Sequence, residues 1–350
     1  MKIYIATLPN GFFGSTGQSW RSLDVNKLAA LLNYETEIVT INDLMSIKFQ
    51  ETDTVVYTSS DEKNIRFYLQ DIMYFVNKKC RILPNYDILM SHENKGFQEL
   101  MRTELGFGNL QGNYFFDIDD SALSIPKVLK TVNGAGSSGV FLVKEEDDLL
   151  DIRQKHFSNF NRRKVIKLQR RIRSKGNKFS IYNYRHKGFN RFVEQDFIPN
   201  LTYDFKVLVF GDRYYSLKRN IRKGDFRASG SNLFEHVKPS VEVLDYAKSI
   251  FSQINNPYAS LDIAQSPNGC HLIEFQGTNF SPGTLLKAPS RYLCIDGEWV
   301  REDNDKDLEE NYAHALNLFM KSSEIPCTSV PSCTSVPLSI MTQNDCSKVM

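Results

Sequence analysis

Residues 260–276 (SLDIAQSPNGCHLIEFQ) restrict the possible folds more than any other segment of the chain. Two strand-like runs flank a Pro-Asn-Gly tripeptide, in which Pro suits the first central position of a type I turn and Gly the left-handed residue closing a three-residue loop. The segment therefore predicts an antiparallel β-hairpin. With that loop, Ser266 lies opposite Cys270, and Asp262 lies directly opposite Glu274 on one face.

The same register sends four apolar side chains, Leu261, Ile263, Ile273 and Phe275, to the other face of the hairpin. One face is thus expected to pack into a core, while the other presents two carboxylates beside Gln276. Adjacent carboxylates repel unless a cation lies between them, and oxygen ligands suit a hard ion such as Mg²⁺. The alternative is a solvated hairpin whose acids pair with nearby lysines or arginines, and the segment alone favours neither interpretation.

A glycine-rich segment at residues 125–144 (IPKVLKTVNGAGSSGVFLVK) is the second informative motif. Gly134, Gly136 and Gly139 match GxGxxG, but a dinucleotide-binding loop opens a helix, whereas this loop leads into the strand-like Val-Phe-Leu-Val. No GK[ST] follows, so a Walker loop is also excluded. The segment predicts a glycine-rich hairpin whose backbone N–H groups can close over phosphates, with Lys130 before it to offset charge. A mobile hairpin without a ligand is the alternative.

The pattern of strands and helices changes along the chain. The first third alternates strand-like and helical runs, which predicts a small parallel α/β lobe. From residue 125 onward, strand-like runs are joined mostly by turns, which predicts antiparallel sheets with covering helices. After residue 322 the chain is rich in Ser, Thr, Pro and Cys, with CTSVP occurring twice, so a disordered tail is expected.

Composition excludes several classes of protein. A length of 350 residues predicts two or three lobes, and a net charge of +2 does not suit a generic nucleic-acid or membrane binder. We find no signal peptide and no run of about 18 apolar residues, so no membrane span is expected. The six cysteines form no CxxC pair, which argues against structural zinc and favours reduced thiols in the cytoplasm.

Together these segments resemble the ATP-grasp superfamily, most closely its glutathione synthetase and ribosomal-protein glutamate ligase branch, over residues 95–283. The resemblance implies an ATP-grasp fold, in which a parallel α/β lobe precedes two antiparallel-sheet subdomains that grip ATP. It divides the chain into an N-terminal domain (1–95), a small lobe with the glycine loop (96–198), a C-terminal lobe with the metal site (199–325) and a tail (326–350).

The resemblance also assigns roles to individual residues. Lys95, at the start of a helix, and Lys130 match the family's phosphate-binding lysines, and EQDFI (194–198) matches its adenine hinge. The implied nucleotide contacts are Lys95, Lys130, Gly134, Gly136, Ser137, Ser138, Gly139, Glu194, Gln195, Asp196, Phe197 and Asp204. The implied Mg²⁺ ligands are Asp262, Glu274 and a third residue. That third ligand is usually Asn, whereas this chain offers Gln276 or, after a lengthened link, Asn279.

The reaction implied by the resemblance is ATP- and Mg²⁺-dependent joining of a carboxylate to an amine through an acyl-phosphate. Arg219 and Arg227, the latter in the GDFR phrase of that branch, are the residues expected to hold the acyl-phosphate. Two alternatives stay open. One is a small-molecule kinase, similar to the inositol phosphate kinases. The other is a non-catalytic nucleotide-binding protein, similar to the synapsins.

The substrates are less constrained than the reaction. A small-molecule or glycan-linked carboxylate and an amine acceptor are expected, and the sequence does not give the oligomeric state. Residues 152–193 contain no acid and many Lys and Arg, so they form either a docking surface for a polyanionic acceptor or a solvated flank. Ser15, Thr16 and Arg21, after the first strand, are candidates for an acceptor site, although an ordinary loop is the simpler explanation.

Overall fold

Three β-sheets form the framework of the chain. The structure is a computed structural model, and it describes residues 1–18, 21–116, 124–134, 139–157, 172–173 and 191–324. The first sheet is parallel, with strand order β2-β1-β3-β4. Its strands are β1 (Lys2–Thr7), β2 (Glu35–Thr40), β3 (Thr54–Tyr57) and β4 (Arg81–Leu83). Its helices are α1 (Val25–Leu31), α2 (Lys63–Val76) and α3 (Tyr86–Ser91). The predicted parallel α/β lobe is confirmed.

The second sheet is small and antiparallel, in the order β5-β8-β6-β7. Its strands are β5 (Gly112–Phe115), β6 (Lys127–Thr131), β7 (Val140–Val143) and β8 (Phe192–Asp196). Helix α4 (Lys95–Leu105) precedes this sheet, and α5 (Glu146–Phe157) follows β7. The strands β6 and β7 pair directly, so the glycine-rich segment connects two strands of a hairpin as predicted.

The third sheet has seven antiparallel strands, in the order β13-β12-β9-β10-β14-β15 with β11 beside β10. Its strands are β9 (Tyr203–Phe210), β10 (Arg213–Asn220), β11 (Phe234–Glu235), β12 (Tyr258–Ser266), β13 (Gly269–Gln276), β14 (Ser290–Ile295) and β15 (Glu298–Asp303). Its helices are α6 (Val241–Ile254), α7 (Gly283–Lys287) and α8 (Leu308–Glu324). The fold class is the mixed parallel and antiparallel arrangement that the sequence predicts.

An aromatic cluster joins the large sheet to α8. The ring of Tyr312 lies 5.0 Å from that of Phe210 and 4.8 Å from that of Tyr258, centroid to centroid. The hydroxyl of Tyr215 donates a hydrogen bond of 2.6 Å to Asn311, which is fully buried. The same core includes buried residues of the parallel lobe, such as Ile5. Because one continuous core spans both parts, the loops of the parallel lobe are held at a fixed position beside the large sheet.

The hairpin of β12 and β13 has the predicted pair, Asp262 opposite Glu274, but its register differs elsewhere. Ser266 pairs with Gly269 rather than Cys270, so the turn holds two residues instead of three. A bulge next to Asp262 inserts one extra residue into β13 and compensates for the shorter turn. The predicted turn was one residue too long. Because the bulge adds one residue to β13, Asp262 nevertheless pairs with Glu274.

The bulge also determines which of two neighbouring apolar residues, Leu272 or Ile273, is buried in the core. Ile263 pairs with Leu272, and both side chains are fully buried. Ile273, which the simple alternation assigned to the core, is the extra residue and stays partly exposed. The prediction for Ile273 was therefore wrong, because a bulge shifts the alternation of side chains between the two faces by one position.

Several predictions fall outside the described residues. These include Gly136, Ser137 and Ser138, most of the basic stretch 152–193, and the tail 326–350. In the described ranges, no helix is both long and apolar enough to cross a membrane. Cys80, Cys270 and Cys294 are free thiols.

The register can be tested by comparing Leu272→Ala with Ile273→Ala. We expect Leu272→Ala to lower the free energy of unfolding by about 2–5 kcal/mol, because it empties a fully buried site. Ile273→Ala should cost less than half as much, since that side chain is partly exposed. Urea denaturation of both variants measures the difference. Equal losses, or a larger loss for Ile273→Ala, would contradict the bulge.

Candidate functional site

A cavity of about 930 Å³ lies between the small sheet, the large sheet and the parallel lobe. One region of its lining is apolar and includes Val128, Phe197, Ile198 and Leu201. Elsewhere the lining is charged, with cations and carboxylates from both sheets. Such a division suits a ligand with an apolar ring at one end and a polyanionic group at the other.

The paired acids of the hairpin both line this cavity, and each also contacts a lysine. Glu274 lies 3.4 Å from the Nζ atom of Lys95, and Asp262 lies 3.5 Å from that of Lys206. The metal-site interpretation and the ion-pair interpretation of the hairpin are therefore each partly correct. The acids face a cleft, as a metal site requires, and they also pair with basic side chains.

A buried ion-pair network fixes Asp262. Arg219 donates two hydrogen bonds of 2.6 Å to Asp204, and its Nη2 atom lies 2.9 Å from Oδ2 of Asp262. Burial alone would raise the pKa of Asp262, but Arg219 and Lys206 hold it below its usual value. Burial raises the pKa of Asp204 despite the same arginine. The guanidinium of Arg219, which the resemblance assigned to the acyl-phosphate, is therefore engaged with two carboxylates and orients Asp262.

The two predicted lysines meet near the glycine-rich hairpin. Lys95 begins α4, and its Nζ atom donates a hydrogen bond of 2.6 Å to the carbonyl of Gly134. Lys130 donates to Oε1 of Gln195 at 2.5 Å. Burial lowers the pKa of Lys130 to about 8, although Glu274 opposes that shift. Gly139, at the other end of the loop, accepts a hydrogen bond from Thr131.

The predicted hinge lies at the end of β8, next to the apolar part of the cavity. Lys127 holds its acidic side chains, at 3.4 Å from Glu194 and 2.6 Å from Asp196. Phe197 follows, and its ring packs edge-on against that of Phe226 at 6.3 Å. Lys127 pairs with both acids, so this segment offers the cavity its backbone, its apolar side chains and the polar side chains of Gln195 and Asp196.

The other predicted arginine, Arg227, also lines the cavity. It forms a bidentate pair with Asp225 at 2.9 and 3.0 Å, and this pair lowers the pKa of Asp225 to about 2. Its Nη1 atom donates to the carbonyl of Val140, at the start of β7, at 3.4 Å. Arg227 thus links the loop after β10 to the glycine-rich hairpin.

The donors at the acidic pair fit a hard divalent cation. Oδ1 of Asp262 is buried and accepts no hydrogen bond from the described residues. Gln276 and Asn279 both line the cavity, so either amide oxygen is available as the third ligand. No group of three or more His, Cys, Asp and Glu side chains suited to a metal occurs in the described part of the chain. The donor set is therefore two carboxylates and amide oxygens, which suits Mg²⁺ better than a transition metal.

Comparison with solved structures gives matches that span most of the chain. No protein-family model matches the sequence, and no characterised protein matches it by sequence comparison. The D-alanine–D-alanine ligase from Bacillus anthracis has a TM-score of 0.48 at 12% identity, covering 92% of this chain and 97% of that one. A RimK-domain ATP-grasp protein from Sphaerobacter thermophilus DSM 20745 has a TM-score of 0.49 at 9% identity. That match covers 91% of this chain and 99% of the other.

A D-cycloserine synthetase has a TM-score of 0.54 at 10% identity, and the match covers 91% of this chain and 100% of that one. The chain has the ATP-grasp fold. The predicted superfamily fold is confirmed, and the closer likeness to the glutathione synthetase branch stays a prediction.

Sequence reasoning missed two basic residues: Lys206, which lines the cavity, and Arg102, which contacts the backbone of β13. A signal for Lys206 existed, because it alternates with Asp204 along β9, and its position opposite Asp262 follows from the strand pairing. No signal existed for Arg102. Its guanidinium donates to the carbonyls of Leu272 and Ile273, the latter at 3.3 Å, and so holds the bulge of β13.

Arg102 is buried and 3.6 Å from Glu99, which is also buried. Burial raises the pKa of Glu99 and lowers that of Arg102, so each needs the other to stay charged. We expect Arg102→Met to lower the free energy of unfolding by about 3–5 kcal/mol, because it leaves Glu99 unpaired. The double variant Glu99→Gln with Arg102→Met should be less destabilised than Arg102→Met alone. Denaturant unfolding checks the order, and a double variant at least as unstable as Arg102→Met would contradict it.

Proposed function

We propose that the chain is an ATP- and Mg²⁺-dependent ligase that joins a carboxylate to an amine through an acyl-phosphate. The observation that carries the proposal is the pair Asp262 and Glu274, facing one cavity together with Lys95 and Lys130. The fold supports nucleotide binding, and the apolar region beside the hinge suits an adenine ring. The solved D-cycloserine synthetase that shares this fold is itself named a synthetase, which agrees with the proposal.

In the proposed reaction, a substrate carboxylate attacks the γ-phosphorus of ATP, and ADP leaves. The amine then attacks the acyl carbon and displaces phosphate. The chain's own residues position the reactants: Lys95 and Lys130 bind phosphate oxygens, and the Arg219 network keeps Asp262 ionised and oriented. A bound Mg²⁺ ion would neutralise phosphate charge, held by Asp262, Glu274 and the amide of Gln276 or Asn279. Arg227 lines the cavity and contacts the start of β7, so it is placed to shield the acyl-phosphate from water.

One assay separates this proposal from a kinase and from a simple binder. The full chain is incubated with ATP, Mg²⁺, a panel of carboxylates and hydroxylamine, and ADP and hydroxamate are measured. A ligase forms hydroxamate together with ADP, because hydroxylamine traps the acyl-phosphate. Phosphoester with ADP but no hydroxamate would indicate a kinase, and ATP binding without ADP would indicate a non-catalytic protein.

Neutralising either acid of the hairpin should abolish turnover. We expect Asp262→Asn and Glu274→Gln each to lower kcat by on the order of a hundredfold or more while the far-ultraviolet circular dichroism spectrum is unchanged. Glu298→Gln, at an exposed position on β15, is the matched control and should keep wild-type activity. Retained activity in both hairpin variants would rule out the proposed site.

Lys130 should make ATP binding depend on pH. Burial lowers the pKa of Lys130 to about 8, and bound phosphate favours the charged form, so this pKa rises on binding. The contribution of Lys130 to affinity is therefore full below pH 8 and is lost as pH rises through the higher pKa of the bound state. We expect the dissociation constant, measured by calorimetry between about pH 7.5 and 9.5, to rise up to about tenfold per unit. Lys130→Met should bind ATP more weakly and without this dependence; an identical pH profile in that variant would contradict the assignment.

A further inference from the structure

The walls of the cavity differ in charge. Its lysines and arginines come from α4 and from the two antiparallel sheets with their loops, namely Lys95, Lys130, Lys206, Arg219 and Arg227. The wall from the first 93 residues includes two charged side chains among those described, and both are acids, Asp61 and Glu93. Ser15 also lies on this wall, whereas Thr16 and Arg21 are not part of the lining. A ligand group that touches this wall therefore meets two carboxylates, and no lysine or arginine of this wall lines the cavity beside them among the described residues.

Asp61 is fixed in position at the carboxyl end of β3. The buried guanidinium of Arg66 donates to the carbonyls of Ser60 and Asp61, at 3.2 and 3.1 Å, and so holds the loop. The side chain of Asn279 donates to Oδ1 of Asp61 at 3.4 Å. Ligands of open α/β sheets bind beyond the carboxyl ends of the strands, which is where this loop lies.

The carboxylate of Asp61 remains available to a ligand. Its side chain is 81% exposed, and Oδ2 accepts no hydrogen bond from the described part of the chain. His92 lies behind it, with Nε2 at 3.7 Å from Oδ1, and is only 2% exposed. Neither ring nitrogen of His92 has a hydrogen-bond partner among the described residues. Burial lowers the pKa of His92 to about 4, so at neutral pH this imidazole is uncharged and leaves the negative charge of Asp61 in place.

We propose that the substrate contacting this wall carries an ammonium group, which Asp61 binds through a charge-assisted hydrogen bond. The inference rests on the proposed ligase function and adds the class of substrate. A protonated amine does not attack an acyl carbon, so the group at Asp61 is not the reacting one. It belongs either to the carboxylate substrate, which is then an amino acid, or to the acceptor, which is then a diamine.

Matched compounds distinguish the two sources. In the hydroxamate assay, alanine, glutamate and other amino acids are compared with acids that lack the amino group, such as propionate and glutarate. With each acid that reacts, 1,4-diaminobutane is compared with butylamine as acceptor. We expect one of the two comparisons to favour the ammonium compound at least about tenfold in kcat/KM. Asp61→Asn should remove that preference by raising KM for the ammonium compound. The control variant Asp71→Asn, which changes an exposed acid of α2 outside the cavity lining, should keep the preference.

Binding of the same compounds is measured separately by saturation-transfer NMR with the full chain, Mg²⁺ and a non-hydrolysable ATP analogue. Binding of ammonium compounds that depends on Asp61, without ADP or hydroxamate, would support this inference and reject the ligase proposal. Ligation that is indifferent to the amino group and to Asp61 would overturn this inference and leave the ligase proposal intact. Failure of every ammonium compound to bind, or equal binding by Asp61→Asn, would also overturn it.

Discussion

Repulsion between two carboxylates is the constraint around which this cleft is organised. Asp262 and Glu274 face each other across β12 and β13, and both are mostly removed from water. Two carboxylates so placed need neighbouring cations, or one of them takes up a proton. Arg219 and Lys206 hold the pKa of Asp262 below its usual value, and Lys95 lies 3.4 Å from Glu274. The need for cations beside Asp262 explains why Lys206 and Arg219 occur on β9 and β10, two strands that are largely buried.

The bulge in β13 places a second demand on the surrounding side chains. It frees the carbonyls of Leu272 and Ile273 from the regular ladder, and buried carbonyls need donors. Arg102 and Lys130 supply them, the latter to Ile273 at 3.4 Å. Helix α4 therefore contributes at both ends: Lys95 at its start reaches Glu274, and Arg102 near its end holds the backbone that presents Glu274.

These contacts also show what the sequence can and cannot predict. The glycine-rich hairpin and the parallel lobe follow from the local order of strand-like, helical and turn residues, so they were predictable. The opposition of Asp262 to Glu274 was predicted with a three-residue turn and no bulge, and these two errors cancel at the acidic pair. The bulge was not predictable, because its carbonyls are bonded to Arg102, 170 residues away in sequence. The two-residue turn was not predicted either, because Pro-Asn-Gly also fits a three-residue loop. The pairing of Arg219 with Asp204 and Asp262 was missed for a related reason. A family motif indicates that an arginine is needed, whereas only the strand register shows which carboxylates it meets.

In this structure the cations of the cleft are engaged with oxygen atoms of the protein itself. Lys95 binds the carbonyl of Gly134, and Lys130 binds Gln195. A triphosphate that recruits these lysines must replace those contacts, so its net affinity is the difference between two sets of charge-assisted bonds. When Lys95 turns to phosphate, Gly134 loses its partner at the entrance of the glycine-rich loop. The carbonyl of Gly134 then needs another donor, so the described end of this loop is linked to the position of the Lys95 side chain.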